Sequence, residues 1–383
     1  MKKRAAGEGS IIKRKDGRWM ASALIGWDVK KNRPKRVYFY GDTQTEVKEK
    51  LQKAIHQHKE GGYIAPSKVF YGEWLDTWYN VYARAKLRPT TWLNYGYWIE
   101  KHIKPAIGGH LFFKLETKHI QQLYNEKAGI LSPRSVRMLH TIINSSIEQA
   151  IKEGKLVRNP AKAAILPAKE KKEAVYMTER QIRDFLGSIK GDRWFPAFML
   201  AVGTGIRLGE LCALRWESVD LEKGSVRIKE STGLAKNEGG KRKTKRVILP
   251  PKTARGLRTV PVPGEVLGVL KKWKARQSAE KLQLGKAYRD QGYVFAWEDG
   301  HMLAPGSLSK YFRELMDAKG LREFHFHTLR HSFASMLIKK GESIKVIQEL
   351  LGHSTITTAI DTYSHVEPEI KNKAAEKINE LFK

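Results

Sequence analysis

"GTGIRLGELCALRW" occupies residues 203–216, and its reading decides how the second half of the chain folds. Gly203 and Gly205 close one helix, since a residue without a Cβ takes the left-handed conformation of a helix end at no steric cost. A second helix opens directly afterwards, with Arg207 at its start. There an arginine adds forked donors to free backbone N–H groups and to the positive end of the helix dipole, which together make an anion site. The same position also suits a surface salt bridge, and this stretch alone does not choose between them. Cys212 is the single cysteine, which excludes an internal disulfide and a Cys-rich zinc finger. Its apolar helical context predicts a small buried core residue.

Working outward, the 383 residues are too many for one ordinary domain and predict two or three. Lys and Arg number 71 against 40 Asp and Glu, a net charge of +31, which points to a polyanionic partner, nucleic acid before anionic membrane. No apolar run is long enough to span a bilayer, and the basic start "MKKRAAGEGS" precedes no hydrophobic segment. No signal peptide and a cytosolic location are therefore expected. The fold class expected is multidomain and mainly α with small β-sheets.

Residues 9–41 read as three short strands with turns at Asp16-Gly17 and Asn32-Arg33-Pro34, followed by a helix in which Val47, Leu51 and Ile55 recur every fourth residue. In residues 1–60 sixteen Lys/Arg face seven acids. A basic β-ribbon can enter a DNA major groove, and a solvated basic face is the competing reading. A helical stretch follows, with Trp92, Tyr95, Trp98, Ile99 and Ile103 on one helix and Val136, Leu139, Ile143 and Ile147 on another. Helical spacing assigns these aromatics to a core and not to base-stacking platforms. The stretch from Pro160 to Thr178 has two prolines, many charges and no period, so it reads as a linker. Thr178 with Gln181 is a capping box that opens the next domain. "SVRIKE" and "KRVILPPKTARGLRTVPVP" interrupt that domain as a three-stranded section.

Three further clusters join Arg207. Lys252 in "PPKTARGLRTV" lies on or beside a hairpin turn, where a flexible ammonium could deliver a proton. Its neighbours Lys241, Lys243, Lys245, Arg246, Arg255 and Arg258 read mainly as DNA-backbone contacts. In "FHTLRHSFASML", His327 and Arg330 share one helix face. His331 reads as a structural residue directed into the domain. His325, His327 and His331 have neither cysteines nor paired carboxylates nearby, which argues against a metal. Lastly, "LLGHSTITTAIDTYSHV" carries His353 and Tyr363 ten residues apart, with Gly352 ending a helix just before the histidine.

In this order and company the residues resemble the tyrosine recombinases, the integrase family of site-specific DNA recombinases: "TGIRLGELCALRW", "HTLRHSFA" and "LGHSTITTAIDTYSH" each look like a family box. The resemblance implies Tyr363 as nucleophile, Arg207 and Arg330 as phosphate clamps and Lys252 as general acid, with His327 and His353 completing the pocket. Lys243 and Lys245 are the alternatives to Lys252. Glu210 and Asp220 match positions that support the fold or orient the first arginine. It also implies an arm-type DNA-binding domain over residues 1–62, a helical core-site domain over 68–162, a linker over 163–176 and a mixed α/β catalytic domain over 177–383.

The implied reaction cleaves and rejoins double-stranded DNA at core and arm attachment sites through a 3′-phosphotyrosine, integrating and excising a mobile element. Two guanidiniums hold the charge of the five-coordinate transition state, so neither metal nor other cofactor is needed. The expected assembly is a homotetramer on DNA, aided by an excisionase and a DNA-bending protein. The stripe Ile370, Ala374, Ile378 and Leu381 belongs to a C-terminal protomer-contact helix that docks on a neighbour or on its own domain. The ten-residue spacing from His353 favours attack by Tyr363 in its own subunit's pocket. A type IB topoisomerase and a noncatalytic DNA-binding regulator are the alternatives. The arm-type domain argues against the first, and the full set of site residues against the second.

Overall fold

The computed structural model describes residues 9–28, 33–59, 68–169, 175–239, 243–251 and 254–352. They fall into two compact units, which divide after Glu170. The fold is mainly helical with small antiparallel sheets.

At the N-terminus, β1 (Ser10–Lys13), β2 (Trp19–Asp28) and β3 (Arg33–Gly41) form an antiparallel sheet in chain order. Helix α1 (Gln44–Lys59) lays Val47 and Leu51 on Ala21 and Ala23, so the fourfold spacing read from the sequence is the packing face. Tyr38 and Tyr40 of β3 stay exposed.

The helical part of the first unit comprises α2 (Tyr71–Thr77), α3 (Arg84–Lys86), α4 (Pro89–Trp98), α5 (Lys104–Ile107), α6 (Thr117–Ala128) and α7 (Pro133–Lys152). Wide π turns at Trp78–Ala83 and Ile99–Ile103 join α2 to α3 and α4 to α5. Helix α7 begins where Ser132 Oγ accepts from the Ser135 N–H, and it buries Val136, Leu139, Ile143 and Ile147 completely. Most of the aromatics line this core, as their spacing predicts. Tyr79 stacks on Trp92 at 4.6 Å, and the Trp74 indole N–H donates to the Ser146 carbonyl.

The described ends of the aperiodic stretch after Pro160 each pack onto their own unit. Ala161 is fully buried, and Arg137 Nη2 donates to the Pro167 carbonyl at 2.7 Å. At its far end Met177 is buried in the second unit, where its N–H donates to Ser332 Oγ. Prolines and charges hide these contacts in the sequence, and two of them are made by backbone groups, the Pro167 carbonyl and the Met177 N–H.

The second unit opens with α8 (Glu179–Ser188), capped by Thr178 and Gln181 as expected. Next comes α9 (Phe195–Thr204), which is apolar nearly all round and sits in the core. The short α10 (Leu208–Ala213) follows. Strands β4 (Val219–Asp220), β5 (Ser225–Ile228), β6 (Ser231–Lys236), β7 (Thr244–Leu249) and β8 (Arg258–Pro261) then form two sheets, β4-β5-β8 and a β6-β7 hairpin. The region therefore holds five strands where three were expected. Pro250-Pro251 ends β7, and the chain crosses to the other sheet before β8. Helices α11 (Gly264–Leu284), α12 (Pro305–Ala318), α13 (Phe326–Lys339) and α14 (Ile344–Leu351) complete the unit. No helix of the described residues is long and apolar enough to cross a membrane.

Candidate active site

Gly205 ends α9 in the left-handed conformation (φ +61°), and a Cβ there would approach Phe333 Cδ1 and Leu351 Cδ2 to 2.6 and 2.7 Å. Both the turn and the close approach of α13 and α14 therefore require glycine. Ile206 is buried, and Arg207 becomes the N-cap of α10. The helix end is less open to an anion than expected, because Glu210 Oε2 accepts from the Arg207 backbone N–H at 3.1 Å. Attraction for an anion rests instead on guanidiniums. Arg207 Nη1 donates to Glu210 Oε1 at 2.8 Å and its Nη2 to the Gly352 carbonyl at 3.0 Å.

Arg330 reaches the same place from α13. It is 2% exposed, and it donates from Nη1 to the Gly205 carbonyl (2.8 Å) and from Nη2 to the Leu351 carbonyl (2.6 Å). The two arginines thus grip neighbouring carbonyls at the end of α14, whose orphan C=O groups and negative dipole end favour cations.

His327 lies one turn before Arg330 on α13, its ring edge-on to His331 at 4.8 Å. One side of His327 meets solvent. Burial of the rest, then the positive charges of His331, Arg330 and Arg207, push its pKa down to about 4, so the ring is neutral near pH 7 and a weaker base than an ordinary histidine. His331 is half-buried against it, and the backbone N–H of His325 donates to Thr328 Oγ1 at the start of α13.

Lys252, His353 and Tyr363 lie outside the described residues, as does the C-terminal stripe from Ile370 to Leu381. The hairpin turn lies between Lys236 and Thr244, whereas Pro250–Leu257 links β7 to β8 across two sheets. Lys243 sits at the base of the hairpin turn and Lys245 is exposed on β7.

Two residues gain weight over the sequence reading. Glu210 is only 4% exposed and receives donors from both Arg207 and Arg258. Burial would raise its pKa, but the Arg258 hydrogen bonds and the charges of Arg258 and Arg207 outweigh burial and hold it below the usual carboxylate range. Arg258, read from sequence as a DNA-backbone contact, has a side chain only 6% exposed and turned onto Glu210. Alternation in β8 carries the missed signal: position 258 shares a strand face with the buried Val260, so its charge needed an internal partner.

The Phage integrase family profile matches residues 175–369, and the profile of its N-terminal SAM-like domain matches residues 70–128. A tyrosine recombinase XerC-like protein of Caldanaerobacter subterraneus subsp. tengcongensis is 32% identical over 363 residues, covering 91% of this chain and 92% of its own. The chain belongs to the phage integrase family of tyrosine recombinases. Among solved structures, a Tn1549 transposon integrase in complex with a circular intermediate DNA superposes with TM-score 0.67 at 19% identity, covering 81% of this chain and 99% of that one. A lambda integrase tetramer bound to a Holliday junction superposes with TM-score 0.56 at 20% identity, covering 94% and 96%. These two likenesses concern the fold. Family membership makes this tyrosine recombinase a site-specific DNA recombinase.

Proposed function

We propose that this recombinase integrates and excises a mobile element, with Tyr363 as nucleophile, Arg207 and Arg330 as phosphate clamps, Lys252 as general acid and His327 and His353 as further pocket residues. The observation that carries the reading is the convergence of Arg207 and Arg330 at the end of α14, one residue before His353 in the chain, with His327 one turn before Arg330 on α13. The Tyr363 Oη attacks the scissile phosphorus and its proton passes to His327. The guanidiniums bear the charge gathering on the nonbridging oxygens, each such donor contributing roughly 3–4 kcal/mol in a dry site. As the P–O5′ bond breaks, Lys252 protonates the leaving oxygen. The 3′-phosphotyrosine keeps the ester energy, so attack by a partner strand's 5′-hydroxyl reverses the step and rejoins the DNA.

Residues 1–62 are assigned to arm sites and 68–162 to core sites, with 163–176 as linker and 177–383 as the catalytic domain. Supporting the arm assignment, Arg14 lies over the Tyr40 ring on the exposed sheet. The assembly is a homotetramer on double-stranded DNA in the bacterial cytosol or nucleoid, with the C-terminal helix docked on a neighbour and an excisionase and a bending protein as accessories. The test is Tyr363→Phe on a suicide duplex carrying the end of the chain's own element. Binding should persist with no covalent adduct, and an adduct in that variant would refute the nucleophile.

A further inference from the structure

Three guanidiniums from three separate elements bond three successive carbonyls where α14 ends. Arg258 Nε donates to Leu350 at 2.7 Å, Arg330 Nη2 to Leu351 at 2.6 Å and Arg207 Nη2 to Gly352 at 3.0 Å. The proposed reaction uses Arg207 and Arg330 and leaves Arg258 unexplained. Every donor nitrogen of Arg258 is turned inward: Nη2 to Glu210 Oε2 at 2.8 Å, Nη1 to Glu210 Oε1 and the Gly256 carbonyl at 3.3 Å each, and Nε to Leu350. It is therefore not placed to touch DNA.

Its fit is close. Gly352 has φ +64°, and a Cβ on it would come to 2.9 Å from the Arg255 carbonyl and 3.0 Å from Arg258 Nη1. Gly352 thus lets the helix end descend onto the arginines, and the chain runs on from it to His353.

The charge arithmetic gives Arg258 its task. Glu210 is a buried carboxylate with two cationic neighbours, Arg207 and Arg258. With Arg258 satisfying one side of it, Arg207 spends one guanidinium contact on Glu210 and one on Gly352, two of its five N–H groups among the described residues. Without Arg258 the buried carboxylate would hold Arg207 as its sole counter-ion and compete with a phosphate for the same donors.

We propose that Arg258 is a positioning residue for strand cleavage: it neutralises Glu210 so that Arg207 remains available to phosphate, and it anchors the end of α14 against that arginine. This rests on the reading of Arg207 as a phosphate clamp.

The experiment uses the full chain and a suicide duplex bearing the end of its own element, and follows covalent cleavage in a single turnover together with DNA affinity and thermal melting. Arg258→Met should lower the cleavage rate constant by on the order of a hundredfold, as expected for a misplaced catalytic donor, while the final amplitude and DNA affinity hold. Adding Glu210→Gln to it should restore part of the rate, since no buried charge then competes for Arg207. If Arg258→Met does not fold, Arg258→Lys keeps the charge but cannot supply both the fork and the Leu350 bond, and should fold yet cleave slowly. An unchanged rate constant in Arg258→Met overturns the proposal. So does a loss confined to amplitude and melting temperature, or a loss that tracks DNA affinity. Should Arg258→Met not fold, wild-type cleavage by Arg258→Lys overturns it too. Wild-type protein that forms no adduct, or Arg207→Ala that cleaves normally, would instead refute the underlying site reading.

Discussion

His327 is the residue whose chemistry the surroundings alter most. Its folded pKa is depressed, so as pH falls below the ordinary histidine value of about 6.5 the unfolded chain takes a proton that the folded ring refuses. The residue therefore subtracts stability progressively from about 6.5 down toward its folded value of about 4, and contributes nothing above that window. As a base it should stay neutral across the neutral range, and single-turnover cleavage should show no acid limb near pH ~6.5. Such a limb, removed by His327→Gln, would contradict the depressed pKa while leaving His327 as the base. For Lys252 the expected behaviour of Lys252→Ala is slow cleavage, rescued by a 5′-thiol leaving group that departs without a proton; absence of rescue would move the acid to Lys243 or Lys245. At this scale the sequence was informative where several motifs coincide, since Arg207 and the Arg330 of "HTLRH" do meet at the end of α14. It was silent on Arg258, because a basic cluster gives no sign of which member turns inward. Only the alternation with Val260 marks it, and four residues of strand are too few to separate that alternation from chance.

Among the elements, the helices and the three N-terminal strands were legible, and the strands of the second unit were not. Helix α7 and helix α1 follow from a single apolar stripe each, with Ser132 as the stop-and-start signal for α7. Strand partners, by contrast, depend on residues far apart in the chain: β8 pairs with β5, not with the adjacent β7. Pro250-Pro251 carried a visible hint, since two residues without N–H groups cannot continue a ladder. The sharpest elemental prediction concerns the α9–α10 corner. Gly205→Ala would force a Cβ into the left-handed region and against Phe333 and Leu351, which should destabilise the catalytic unit by roughly 1–3 kcal/mol from the backbone alone. Denaturant unfolding of residues 171–383 as a separate protein would measure this, and a variant as stable as its parent would mean that α13 and α14 yield more readily than they pack.

For the whole molecule, the excess of 31 positive charges sets the energetics of DNA binding. The logarithm of the affinity should fall linearly with the logarithm of salt concentration, with a slope of about −0.9 per phosphate neutralised on duplex DNA. Removing residues 1–62 should flatten that slope and abolish binding to distal arm sites while nicking at the core site continues; equal loss at both kinds of site would contradict the division of labour. The fold class was legible because composition and motif order pointed the same way. The lone thiol of Cys212 carries one more consequence. It is fully buried on α10, two residues from Glu210, and burial pushes its pKa up to about 12, so the native protein should be inert to maleimides. Any dye attached through a newly introduced surface cysteine would then sit at one known place without altering the native thiol. Slow labelling of Cys212 itself would report, in real time, each opening of the helix that carries the first arginine.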